Sequence, residues 1–135
     1  MRNDRVVFNY TQASPISGLS DSTPTAIPGT SVKLPEGKYK ITGTFRAAIV
    51  RGANDGQSQQ ITLAINVGGS VIFSPSSFIG MSAGTVGNYQ ASLSNTEVHE
   101  LTSATVVYLQ AYIAANGTVT SRNIDGASFV IEKLS

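Results

Sequence analysis

Hydrophobic and polar positions alternate with a period of two along much of the chain, the pattern of strands with one buried and one wet face. The clearest run covers residues 38–50, with Tyr39, Ile41, Gly43, Phe45, Ala47 and Ile49 on one side and Lys40, Thr42, Thr44, Arg46 and Ala48 on the other. Residues 59–67 repeat it: Ile61, Leu63, Ile65 and Val67 oppose Gln60, Thr62, Ala64 and Asn66. A turn signal, Asn54-Asp55-Gly56, separates the two runs and predicts that they pair as antiparallel neighbours. Gly68-Gly69 then offers the positive backbone angles of a tight hairpin into Val71-Ile72-Phe73.

Residues 74–87 are rich in Gly and Ser and read as a loop at one end of the fold. Two shorter strands, 90–93 and 96–101, are predicted around a turn at Ser94-Asn95. Residues 105–114 differ from the preceding runs, because Val107, Leu109, Ala111 and Ile113 lie on one side while Val106, Tyr108 and Tyr112 lie on the other, and residues 127–134 share this two-faced character. A strand that is apolar on both faces is expected to be covered on both. After the Asn116-Gly117 turn, residues 127–134 set Phe129, Ile131 and Lys133 against Val130, Glu132 and Leu134. No helical period persists beyond a turn or two, so the chain reads as all-β. Residues 1–28, with Pro15, Pro24 and Pro28, read as an N-terminal arm and edge segment, and 29–135 as the body of a single domain.

Composition narrows the function classes. Charged residues make up 13% of the 135-residue chain, against roughly 25% in an ordinary soluble domain, so the surface is polar but largely neutral. A net charge of +1 gives no field that would gather nucleic acid or an acidic membrane. Without cysteine there are no disulfides, thiolate metal sites or thiol nucleophiles. Residues 1–12 carry charges where a secretory signal has its apolar run, and no stretch approaches the ~20 residues that cross a bilayer, so neither a signal nor a membrane span is expected. In that setting the acceptor-like triplets at Asn9 and Asn116 are read as chance.

Candidate chemistry is sparse. His99 is the sole histidine, which rules out a multi-histidine metal site and leaves a Ser-His arrangement short of parts. Glu97 and His99 share a strand face and offer two ligands to a cation, fewer than a site needs; a solvated polar face is the simpler reading. Gly68, Gly69, Gly80 and Gly84 lack the spacing and strand-to-helix setting of a phosphate loop and read as turn residues. Arg46 and Arg51 are expected on or near an exposed face, within reach of an acidic partner. A non-enzymatic protein without cofactor or metal is therefore expected.

Three segments resemble the tumour-necrosis-factor and complement-globular-head superfamily of trimeric jelly rolls. VKLPEGKYKITGTF at 32–45 is similar to that family's turn into a long strand, VVYLQAYI at 106–113 to its penultimate strand, and GASFVIEKL at 126–134 to its closing strand. Val130 stands where the family has glycine, and calcium-ligating carboxylates are not evident in the loops. The resemblance implies a two-sheet antiparallel jelly-roll sandwich of about ten strands and a homotrimer around an apolar axis. Val106, Tyr108 and Tyr112, with Phe129 or Leu134, are the residues expected to line that axis.

The function expected from these features is a virion structural protein: a trimeric decoration or cement protein on a phage head, gripping the major capsid protein through Arg2, Asp4 and Arg5 of the arm. The alternative is a receptor-binding head on a phage tail fibre, with residues 74–87 and 114–125 meeting a host glycan or surface protein.

Overall fold

The period-two runs become strands whose inward residues are nearly all sealed. The computed structural model describes residues 5–19, 23–51, 59–73, 76–79, 87–115 and 119–134, and these form ten strands. They are β1 (Arg5–Thr11), β2 (Thr25–Ala26), β3 (Val32–Leu34), β4 (Gly37–Arg51), β5 (Gln59–Val67), β6 (Ser70–Phe73), β7 (Ser76–Ile79), β8 (Gly87–Leu101), β9 (Thr105–Ala115) and β10 (Val119–Lys133). One sheet runs β1-β10-β4-β8. The other runs β2-β9-β5-β6, with β3 also on β9 and β7 also on β5, and every pairing is antiparallel. The core lies between them, where Tyr39, Ile41, Phe45 and Ile49 of β4 and Phe129 and Ile131 of β10 meet Ile61, Leu63 and Ile65 of β5 and Leu109 and Ile113 of β9.

Four expectations change. β4 and β5 are not neighbours in one sheet: β4 pairs with β10 and β8, and β5 with β9, β6 and β7. The Asn54-Asp55-Gly56 signal lies outside the described residues, and a turn signal marks a chain reversal without saying whether the next strand rejoins the same sheet or crosses to the other. The turn expected at Ser94-Asn95 is absent, because β8 pairs with β4 without a register break from Gly37↔Leu101 to Arg51↔Gly87. Within the stretch read as a loop, residues 76–79 form β7 against Gln59–Thr62 of β5. The final strand starts at Val119, eight residues before the expected 127.

The N-terminal segment is tied along the edges of both sheets of its own chain. β1 pairs with the end of β10, and Phe8 meets Phe129 edge-on at 6.0 Å between ring centres. Residues 12–19 continue along β10 through Gln12 N–H to Ala127 O (2.8 Å) and the Ile16–Ile124 bridge. The Gln12 side chain fills the irregularity at 125–128, its Nε2 donating to Ile124 O (3.1 Å) and its Oε1 accepting from Ala127 N–H (2.9 Å). The chain then crosses to the second sheet, where Ile27 N–H donates to Leu109 O at 2.8 Å.

Candidate functional site: the outer face of the second sheet

β9 alternates strictly. Val107, Leu109, Ala111 and Ile113 are at most 2% exposed and face the core, which turns Val106, Tyr108, Gln110, Tyr112 and Ala114 outward. In register beside them on β5 stand Asn66 opposite Tyr108, Ala64 opposite Gln110 and Thr62 opposite Tyr112. Ala64 and Asn66 are only 2% and 4% exposed although they point away from the core, because larger neighbours flank them on the same face. Asn66 Nδ2 donates to Gln110 Oε1 at 3.3 Å, and its Oδ1 accepts from Gly69 N–H at 2.9 Å, tying this face to the β5–β6 turn. Gly68 and Gly69, at φ 61° and 92°, make that hairpin as the sequence predicts. Val71, paired with Asn66, joins the same face at 47% exposure.

The result is a strip of Val71, Tyr108, Val106 and Tyr112, with Val106 at 42% exposure, the two tyrosines half-buried and Lys33 at the rim opposite Val106. Nothing among the described residues adds a third layer, since the N-terminal segment is held at the sheet edges. Val71 lay on a run too short for its facing to be read from the sequence, and Ala64 and Asn66 sat on the side counted as polar.

The five residues expected on one axis do not share a surface. Val106, Tyr108 and Tyr112 lie together on the outside of the second sheet. Phe129 is fully buried, its ring against Phe8 and the core, because the inward parity of β10 includes it. Leu134 follows β10 and donates its N–H to Lys38 O at 2.7 Å, beside the first sheet and across the sandwich from the tyrosines. The division follows from β9 and β10 belonging to different sheets. Arg2 and Asp4 lie outside the described residues, and Arg5 opens β1 in register with Lys133. Of the two expected glycan loops, residues 119–125 are strand, while 74–75, 80–86 and 116–118 lie outside the described residues.

Arg46 meets an acidic partner in its own subunit: Nε donates to Asp125 Oδ1 at 2.8 Å and Nη2 to Oδ2 at 2.6 Å. These hydrogen bonds, with the attraction between the charges, hold the guanidinium above its usual range and the Asp125 carboxyl below its own. Separated by 79 positions, the pair leaves no local trace in the sequence. Glu97 and His99 share the inward side of β8 with Asn95, whose Nδ2 is buried without a hydrogen-bond partner. Among the described residues no three His, Asp or Glu side chains gather as metal ligands would, and no helix is long and apolar enough to cross a membrane.

No protein-family model matches the chain, and no curated protein matches it in sequence. Solved structures do match in shape. A structure of the infectious bursal disease virus Gx strain aligns with TM-score 0.58 and 14% identity over 98% of this chain and 33% of the other. The VP2 subviral particle of infectious bursal disease virus aligns with TM-score 0.58 and 15% identity over 97% and 33%. Eiger TNF from S. frugiperda aligns with TM-score 0.54 and 8% identity over 99% of this chain and 94% of that one. The chain thus spans about a third of the length of the virus chains it matches and nearly all of the TNF chain. At these identities the likeness concerns architecture, and the chain is an all-β, TNF-like jelly-roll sandwich of two antiparallel sheets.

Proposed function

We propose that this protein is a non-enzymatic structural subunit of a virus particle, a homotrimer that decorates the head of a phage. The observation that carries the reading is the Val71–Val106–Tyr108–Tyr112 strip, apolar and partly exposed, which no further layer covers among the described residues. Burying a fully exposed large aliphatic or aromatic side chain contributes about 1.5–3 kcal/mol, so completing the burial of these four partly covered side chains at each contact of a closed ring favours association. Threefold contacts are heterologous, so the strip on one copy meets a different surface of the next. The same architecture in a subviral particle and in a TNF supports an assembling role over a catalytic one.

Light scattering or mass photometry tests the assembly step. The protein should run as a trimer at micromolar concentration and fall to monomer when Tyr108→Lys and Tyr112→Lys are combined, with its circular dichroism unchanged; a monomeric parent protein overturns the reading. Immunogold labelling of particles from the protein's source tests the location, with label expected on the shell and not on the tail. Capsid grip by the N-terminus is best tested by removing residues 1–4, because a longer deletion takes away β1 and its Phe8–Phe129 contact. Occupancy on stripped particles should drop while the trimer persists.

A further inference from the structure

The outer face of the first sheet carries an open trough of about 410 Å³, walled by Thr44, Arg46, Ser92, Ser94 and Gly126 and floored by Phe45 and Leu93. Its shape follows from sequence. On the facing parts of β4 and β8 the outward positions Thr44, Ser92 and Ser94 are short hydroxyl residues beside the longer Arg46, and the β10–β4 pairing is irregular between Asp125 and Ser128. Gly126 sits in that irregularity at φ 63°, where a side chain would be strained, and no atom comes within 4 Å of where its Cβ would be. The wall is therefore low at this point and the trough opens toward solvent.

We propose that this trough binds a neutral oligosaccharide. It offers serine and threonine hydroxyls that donate and accept, and beside them the Arg46–Asp125 pair, which presents N–H donors and carboxylate lone pairs side by side. The pair is bidentate, at 2.8 and 2.6 Å, so the guanidinium is already oriented before any ligand arrives. Thr44 Oγ1 is likewise fixed, 2.9 Å from Ser128 Oγ. One positive and one negative charge satisfy each other, so an anion would compete with Asp125 and a cation with Arg46. The accessible lining also includes apolar surface, which suits the C–H faces of a sugar ring. A ligand with closely spaced hydroxyls, apolar C–H faces and no net charge matches this trough. The volume falls in the range of small-ligand sites, roughly 300–1,000 Å³, and strands hold the groups in place, which lowers the ordering cost of binding.

This inference does not depend on the assembly proposal, because it uses the opposite face of the sandwich. The intact protein should be applied to an array of neutral and sialylated glycans and the hits titrated by amide NMR. A neutral glycan should bind at millimolar concentration or better, with saturable shifts at Thr44, Arg46, Ser94 and Gly126. Ser94→Leu, at an exposed position whose larger side chain fills part of the trough and leaves both members of the ion pair in place, should weaken binding by about tenfold or more while the melting temperature holds. Arg46→Met should weaken it as well. Silence of all neutral glycans, preference for sialylated ones, shifts located elsewhere, or unchanged affinity in Ser94→Leu would overturn the proposal. So would concentration-dependent broadening of these amides without sugar, which would assign the face to a second copy of the chain.

Discussion

A Cβ added to Gly43, in the middle of β4, would lie 2.5 Å from Cδ1 of Leu109 in β9. Here the space left by the missing side chain in one sheet is filled by a residue of the other. Leu109 is fully buried, so moving its side chain aside means displacing other core side chains. Gly43→Ala should therefore destabilise by about 1–3 kcal/mol through overpacking, although alanine is the better strand residue. Leu109→Ala should cost about 2–5 kcal/mol. The double variant should lose much less than the sum of the two, because the new methyl group occupies part of the new cavity; additive losses in denaturant titrations would refute the coupling.

Thr30 stands in for a missing rung on the edge of the second sheet. β2 ends at Ala26 and β3 begins at Val32, and between them Thr30 Oγ1 accepts the Leu109 N–H at 3.1 Å while donating to Ile27 O at 2.7 Å. Both bonds are buried. Thr30→Val keeps the shape and leaves the Leu109 N–H without a partner, so a loss of about 1–3 kcal/mol is expected. Thr30→Ser should retain most of the stability, and equal melting temperatures for the two variants would count against the account.

Tyr39 gives the fold an alkaline limit. Its ring is buried, 1% exposed, with Lys133 Nζ 5.8 Å from the ring centre and its hydroxyl donating to Pro35 O at 2.7 Å. Burial pushes the phenol above its ordinary range. The folded state thus favours the neutral form, and this contribution is fully present below the unfolded phenol pKa of about 10 and lost as pH rises through the folded value. Tyr39→Phe should cost about 0.5–1.5 kcal/mol near neutrality and flatten the alkaline fall in stability. Ultraviolet titration should show a tyrosine ionising above the ordinary phenol range, and Tyr39→Phe should remove that step.

Asp125 acts at the acid end. Its hydrogen bonds from Arg46 lower the carboxyl pKa, so the pair supports the fold above the unfolded carboxyl range and ceases to as pH falls through the folded value. In an NMR titration the Asp125 carboxyl should protonate below an ordinary aspartate. Arg46→Gln should return it toward the usual range, and an unmoved titration curve would show that the ion pair does not set it.

Much of this molecule can be read locally. The inward positions of β4, β5 and β9 follow from alternation alone, since side-chain parity in a strand is a property of neighbouring residues. The same holds for the Gly68-Gly69 hairpin and for the two-faced character of residues 105–114. Partnership is another matter, because a strand's outer edges are hydrogen-bonded by segments distant in the chain. That is why β5 left β4 for the other sheet, why β8 runs straight through Ser94-Asn95 on the template of β4, and why Tyr108 and Leu134 came to lie on opposite sides of the sandwich. Arg46 was visible as an exposed cation, yet only the fold set it against Asp125 and opened the trough beside them.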